Sequence, residues 1–469
     1  METPAFSFRI PLFLACALFA LTSPAARTAE APSATDAELA RYADQLFSQA
    51  FPPGEPGAAV LIAKDGQVLL RKGYGLANLE LGVPMPPDAV FELASVTKQF
   101  TAAAILLLQE RGKLSVQDDV QKYLPDFPTR GHKITLDQLL THRSGVTELT
   151  ALPAWWPRHR EDMTVEQILD LFKDKPLDFT PGEKVAYSNS GYILLGAVVE
   201  KASGKSYEDF VEGEIFAPLG MKRSRYGHET EVVPGRAAGY DRTPDGYKVA
   251  EYLSLTQAYA AGGLLSTVDD LALWADALAS RKLLKPASWE RMTTPVKLPS
   301  GETTKAAYGL QVSEEDGARI LEHGGGLPGF NTHLLIVPDR HLVVIVLANR
   351  FGGEASLESM TYRVTMKALG KAVEERRAVK LDAATLDQYV GVFSFGKALS
   401  RTVFRQGDRL FTRRTDGDPH EILAASRDDF FYADSDNRLH FRRDEQGKVV
   451  AMDVRYRFGP MDETGLAGK

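Results

Sequence analysis

The sequence predicts a mixed α/β fold in which one antiparallel sheet is closed by strands from both ends of a long segment, with a helical insert between them and a small all-β domain after them. Three patterns carry that expectation. A hairpin pattern stands near the start, a mostly helical stretch runs from Glu92 to Leu278, and alternating strands return from Ala306 onward. At 469 residues the chain is also too long for one small core, so two domains are expected.

Residues 1–25 form an export-signal pattern: Arg9, the apolar run IPLFLACALFAL, then a small-x-small site ending at Ala25. That run is too short to span a bilayer, and no later stretch is long enough. An exported protein, periplasmic or secreted and without a transmembrane segment, is therefore expected. The only cysteine, Cys16, lies inside the signal. Its lipidation is the competing reading, with FLAC as a poor lipobox. The remaining chain has no disulfide, thiolate nucleophile or cysteine metal ligand. Glu2 and Arg9 cancel, so removing the signal leaves the net charge at -7, which argues against nucleic acid or an anionic membrane as partner. With 44% hydrophobic and 25% charged residues the chain is globular in composition.

The elements follow in order. ATDAELARYADQLFSQ spaces its apolar residues as an amphipathic helix does. GAAVLIAKDGQVLLRKGYG reads as two strands joined by an Asp65-Gly66 turn. Within the helical stretch, STVDDLALWADAL offers Ser266 and Asp269 as a capping box ahead of an apolar face. Strands return in AAYGLQVSEEDGARILEHGGG, with a turn at Asp316-Gly317, and in THLLIVPDRHLVVIVLAN. A final helix over about 354–375 closes a first domain of 26–375, and a linker at 376–384 leads to a second domain at 385–469. There, short alternating pieces such as TVFRQGDRLFTRR predict an antiparallel barrel or sandwich.

The chemistry starts in ELASVTKQFTAAAILLLQ, where Ser95 and Lys98 stand at i and i+3 on one face of a helix that is otherwise apolar nearly all round. Desolvation disfavours an ammonium there, and a neutral amine beside a hydroxyl is a base beside a nucleophile. Two residues make a weak motif. A serine near a helix start with a lysine reaching outward is the alternative, and Ser394 and Lys397 repeat the spacing in a strand-like setting.

A serine nucleophile without a His-Asp pair still needs a proton shuttle and oxyanion donors. YSNSGYILLG puts Tyr187 and Asn189 two apart before an apolar helix. A tyrosine near a lysine can pass protons, and an asparagine can bind both the lysine and a substrate carbonyl, or simply cap the helix. LEHGGGLPGF ends a strand with His323, Gly324, Gly325 and Gly326, which lets a substrate backbone approach and leaves N–H groups for an oxyanion. A strand-end histidine paired with a carboxylate is the other reading of His323. Trp155 and Trp156 line a cleft or cover the insert. No H-E-x-x-H or comparable spacing is present, so no metal or other cofactor is expected.

Taken in order, Ser95-Val96-Thr97-Lys98, Tyr187-Ser188-Asn189 and His323-Gly324-Gly325 resemble the three motifs of the serine β-lactamase and penicillin-binding-protein superfamily. They are most similar to the class C β-lactamase-like branch, which includes family VIII esterases and D-amino-acid peptidases. LLTHRSGV, PGEKVAYSN, AGGLLSTVDDLALW and PGFNTHLLIVPDRHLVVIVLAN resemble that branch too, so the likeness runs from about Ala58 to Leu369. The C-terminal region is similar to the lipocalin-like β domain appended to such hydrolases. The resemblance implies a β-lactamase/transpeptidase-like sheet with a helical insert. It also implies that Ser95 attacks a carbonyl, Lys98 and Tyr187 act as general base and then general acid, the N–H groups of Ser95 and Gly326 hold the oxyanion, and water releases the acyl group.

The third motif departs from its relatives. They usually carry a lysine with Thr-Gly or Ser-Gly, whose cation helps hold a substrate carboxylate. An imidazole of ordinary pKa, about 6.5, is mostly neutral at pH 7. Short-chain esters, or small D-amino-acid peptides and amides, are therefore the expected substrates. Action on β-lactams or peptidoglycan stems is the alternative, and a catalytically silent peptide- or peptidoglycan-binding protein is the second. Asn349 and Arg350, in LANR, are candidate replacement anchors.

Overall fold

Seven consecutive apolar residues, LVVIVLA, mark the strand at the centre of the sheet, because a strand covered on both faces has no polar side to show. The structure is a computed structural model that describes residues 34–468 except 229, 316, 353–355, 372–376, 396–398, 416–418, 433–436 and 456–462. The expected signal segment with Cys16, and also Asp316 and Lys397, lie outside the described residues.

Helix α1 (Ala34–Ala50) precedes the hairpin of β1 (Ala58–Lys64) and β2 (Gln67–Tyr74). Its turn residues Asp65 and Gly66 both have positive φ, as a two-residue hairpin turn requires. Late in the chain come β3 (Gln311–Glu315), β4 (Ala318–Leu327), β5 (Phe330–Val337) and β6 (Leu342–Ala348). The sheet order is β3-β4-β5-β6-β1-β2, antiparallel throughout, with Ala58 opposite Ala348. Both ends of the segment thus close one sheet, as expected. Along β6, Leu342, Val344, Val346 and Ala348 join one core and Val343, Ile345 and Leu347 the other, the two-residue alternation of a strand.

On the second face lie α2 (Thr97–Glu110), α3 (Asn189–Ser203), α4 (Leu255–Gly262) and α5 (Val268–Ala279). On the first face lie α1 and α6 (Leu357–Ala368). Two expectations are corrected. Thr267, not Ser266, caps α5, accepting the Asp270 N–H at 3.2 Å, because Ser266 belongs to the short strand Leu264–Ser266. Helix α6 is shorter than 354–375, and Gly370, at φ +72°, stands where a left-handed residue ends a helix.

Eight antiparallel strands between Gly391 and Ala467 close into a barrel, with Phe393 opposite Ala467 at the seam, so the barrel is the reading that holds. Its core, including Tyr389, Phe393, Val403 and Phe441, is separate from both cores of the sheet domain. Leu381, inside the expected linker, and Leu386, just beyond it, pack on that core. Ser394 is exposed on a barrel strand. Among the described residues no helix is long and apolar enough to cross a membrane.

Candidate active site

The approach to Ser95 is fixed before α2 begins. Phe91–Glu92 pairs with Leu264–Ser266, and the Leu93 N–H donates to Leu264 O at 2.8 Å. Ala94 then takes φ of +49°, uncommon for a residue with a side chain, and Ser95 follows in a 3-10 turn that runs into α2. One turn of helix brings Lys98 alongside, its Nζ 3.0 Å from Ser95 Oγ.

Lys98 is fully buried. Its Nζ also lies 2.8 Å from Asn189 Oδ1 and 2.8 Å from the Ala261 carbonyl. An uncharged amine has two hydrogens and one lone pair. The two carbonyl oxygens take the hydrogens, and the lone pair is left for the Ser95 hydroxyl. Burial pushes the Lys98 pKa down to about 7, with the Glu148 charge pulling the other way. A large share of Lys98 is therefore uncharged at neutral pH.

Tyr187 places its hydroxyl 2.7 Å from Ser95 Oγ and its ring 4.8 Å from Lys98 Nζ. The residue is 39% exposed, yet its hydroxyl points inward, and desolvation raises its pKa above the usual phenol range. A phenol, not a phenolate, faces Ser95. Asn189 opens α3 without capping it, since Ser188 Oγ accepts the Gly191 N–H at 3.2 Å and serves as the cap. The asparagine side chain is thereby left for Lys98. The Ala261 carbonyl is available because α4 is kinked: Tyr259 has φ +40° and ψ -131°, and Ala260 and Ala261 offer their carbonyls to Thr101 and Lys98.

The glycines of the third motif lie within β4, not beyond its end. Pairing with β3 stops at Gln311 opposite Glu322, so from His323 onward that edge of β4 has no partner strand among the described residues. Gly325 must lack a side chain, because a Cβ there would sit 2.3 Å from the Leu93 carbonyl and 2.4 Å from Thr332 Oγ1. His323 is 5% exposed and donates from Nδ1 to the Gly324 carbonyl at 2.6 Å, not to a carboxylate. Burial, then the nearby Lys98 charge, lowers its pKa to about 3, so it is neutral.

The expected substitute anchors are used elsewhere. Asn349 accepts the Gly57 N–H and donates to the Leu76, Ala77 and Ala238 carbonyls. Arg350 stacks on Phe51 and donates to the Ala50 carbonyl. Neither lines the space around Ser95.

Two residues escaped the sequence reading. Glu148 accepts both the backbone N–H and the side-chain amide of Asn189, and nothing about a lone glutamate in an irregular stretch announces that. The His142 ring lies 4.5 Å from the Tyr187 ring, tilted by 31°, and accepts the Ser188 N–H at 3.1 Å. Burial holds its pKa well below the usual histidine range. Its signal was the LLTHRSGV stretch.

Two cavities meet at Ser95, and Gly326 and Phe351 line both. The larger, about 470 Å³, has Asn189, Leu149, Ile193 and Leu253 in its walls, together with Trp155 and Trp156, so the tryptophans are cleft residues. The smaller, about 300 Å³, has Tyr187, His323, Glu322 and Glu358.

The sequence pattern of the family described as Beta-lactamase matches residues 43–368. The chain belongs to the β-lactamase family. A second family, described as Domain of unknown function (DUF3471), matches 375–468 of this β-lactamase-family protein. A penicillin-binding protein of Bacillus subtilis (strain 168) is 31% identical over 415 residues, 83% of this chain and 91% of its own length. The D-aminopeptidase of Gluconobacter oxydans (strain 621H) is 28% identical over 346 residues, 72% of this chain but 63% of its own length. Among solved structures, the octameric penicillin-binding protein homologue from Pyrococcus abyssi has a TM-score of 0.63 at 25% identity, covering 91% of this chain and 99% of that one. The D-amino acid amidase from Ochrobactrum anthropi SV3 has a TM-score of 0.61 at 26% identity, covering 71% and 98%. The resemblance read from the three motifs is borne out. The protein is a serine hydrolase of the β-lactamase and penicillin-binding-protein family, with D-aminopeptidase and D-amino-acid amidase relatives.

Proposed function

We propose that this hydrolase forms an acyl-Ser95 intermediate, with uncharged Lys98 as general base and Tyr187 as general acid. One observation carries the reading: the Lys98 amine stands 3.0 Å from Ser95 Oγ with both of its hydrogens committed to carbonyl oxygens. As Oγ attacks the substrate carbonyl, the Ser95 proton passes to Nζ. The N–H groups of Ser95, at the start of α2, and Gly326 hold the developing oxyanion. When the scissile bond breaks, Tyr187 gives its proton to the leaving oxygen or nitrogen and regains one from the Lys98 ammonium. Water then attacks the acyl-enzyme, and the same groups return the proton to Ser95.

Short-chain esters, or small peptides and amides of D-amino acids, are the proposed substrates, ahead of β-lactams. Two things support this: the names of the D-aminopeptidase and D-amino-acid amidase relatives, and the neutral state of His323 with Asn349 and Arg350 engaged elsewhere. We also propose that the protein is exported, from the pattern of residues 1–25; fractionation of cells with and without those residues tests it. The layout we propose is a catalytic domain over 26–375 and a barrel over 385–469.

A fluorophosphonate followed by intact mass tests the nucleophile. A single adduct is expected, lost in Ser95→Ala. An adduct that survives that change, or none at all, defeats the reading and leaves the silent binding protein. Running p-nitrophenyl butyrate, a D-alanyl amide and nitrocefin side by side tests the substrate class, and nitrocefin as the best substrate by kcat/KM overturns it.

A further inference from the structure

We infer that the smaller cavity is a leaving-group subsite that accepts cationic or neutral groups and rejects carboxylates, with Glu358 as its selector; this rests on the catalytic reading above. Tyr187 lines the smaller cavity and not the larger. A group that takes its proton from Tyr187 must depart on that side, so the acyl part of the substrate occupies the larger, mainly apolar cleft.

The acidic side chains that line the smaller cavity face no basic one within its described lining. Glu322 and Glu358 line the cavity, and none of its described lining residues is a lysine or arginine. Its two histidines are engaged and buried: His323 bonds the Gly324 carbonyl, and His333 Nδ1 meets Thr361 Oγ1 at 2.7 Å. Burial keeps both uncharged at neutral pH. Lys98, which becomes an ammonium as Ser95 attacks, lines neither cavity.

Gly324 is what admits Glu358. A Cβ at that position would lie 2.8 Å from Glu358 Oε1 and 3.3 Å from the His333 ring, so any side chain there would push the carboxylate away. Instead the Glu358 carboxylate, braced by the Ser356 hydroxyl at 2.6 Å, rests over the face of β4 at Gly324, one residue beyond His323, and lines the cavity there. An ammonium on the leaving group gains from that charge, a neutral group is tolerated, and a carboxylate is repelled by a fixed like charge. Among the described residues no three His, Asp or Glu side chains converge as a metal site needs, so the carboxylates are not explained as metal ligands.

The test uses the full-length protein and three butyrate esters: butyrylcholine, propyl butyrate and 3-butyryloxypropanoate. Each kcat/KM is divided by the ester's rate with hydroxide, which removes differences in intrinsic reactivity. The expected order is cation, then neutral, then carboxylate, with the last about tenfold or more below the neutral ester. Glu358→Gln should narrow the neutral-to-carboxylate ratio, and Glu358→Lys should invert it. Because each ratio is taken within one variant, partial loss of folded enzyme cancels. Fluorophosphonate labelling of the same preparations separates the two levels of the argument. A Ser95 adduct with ratios unmoved in both variants, or with the carboxylate ester preferred by the wild type, overturns the subsite alone. Absence of the adduct overturns the catalytic reading, and the subsite with it.

Discussion

Glu148 holds Asn189 at two points, through its backbone N–H at 2.5 Å and its side-chain amide at 2.8 Å, and so decides which end of the amide faces Lys98. With the NH2 given to Glu148, Oδ1 is left to accept from Nζ. The same carboxylate is the charge that resists the fall in the Lys98 pKa. Orientation and electrostatics of the Lys98 amine thus pass through one side chain that lines neither cavity at Ser95.

Glu148→Gln should therefore have two separable effects. Desolvation of Lys98 goes unopposed, so the acidic limb of the kcat/KM profile should move to lower pH. One of the two contacts to Asn189 becomes a donor facing a donor, which costs about 1 to 3 kcal/mol and slows acylation about tenfold to a hundredfold. A limb that moves to higher pH would contradict the charge argument.

The Lys98 pKa, lowered to about 7, gives the wild-type profile its shape. Activity should rise from acid and level off above about pH 7 as the amine loses its proton. Lys98→Ala should lower the acylation rate by several orders of magnitude, whereas Tyr187→Phe should leave part of it. The stability sign follows from linkage. Between about 7 and the ordinary 10.5, the unfolded chain binds the proton that the folded chain has released, so stability contributed at this position rises with pH across that window. Any thermal-stability advantage of Lys98→Met over wild type should shrink from pH 7 to pH 10 in paired melts, and an advantage that grows would refute the burial argument.

What the sequence could show was local. Ser95 and Lys98 are one helical turn apart, Tyr187 and Asn189 are two residues apart, and the β6 run is apolar without a break, so spacing alone exposed them. The parts that stayed hidden depend on distant partners. Glu148 meets Asn189 across 41 residues, and Glu358 reaches Gly324 only because α6 packs beside β5. Asn349 and Arg350 looked like a polar pair free to bind substrate. They sit at the end of β6, where backbone groups of Gly57, Leu76, Ala77 and Ala238 converge on the asparagine side chain and occupy it.

His142 is a positioning residue by this geometry. Its ring backs the Tyr187 ring and its Nδ1 accepts the N–H of Ser188, between Tyr187 and Asn189. In His142→Phe a ring remains but the buried Ser188 N–H loses its acceptor, a loss of about 1 to 3 kcal/mol. If the role is positioning, kcat should fall while KM for a small ester changes little, and fluorophosphonate labelling should slow in proportion. A purely structural role would lower the melting temperature and leave kcat per labelled site as it was.

The barrel makes the last prediction, because its core and the catalytic geometry share no residue. Tyr389, Phe393, Val403 and Phe441 pack among themselves and their barrel neighbours, apart from the two cores flanking the sheet. No described residue after Glu358 lines either cavity at Ser95. Cutting the chain after Lys380 removes the Val379-to-Ala424 backbone bond at 2.8 Å but leaves the sheet, α1 and α6 intact. That shortened chain should fold, label at Ser95 with a fluorophosphonate, and turn over p-nitrophenyl butyrate within a few-fold of the full-length rate. Helical circular dichroism with a cooperative melt establishes folding independently of activity. A shortened chain that melts cooperatively yet cannot be labelled would place part of the catalytic arrangement under the control of the barrel.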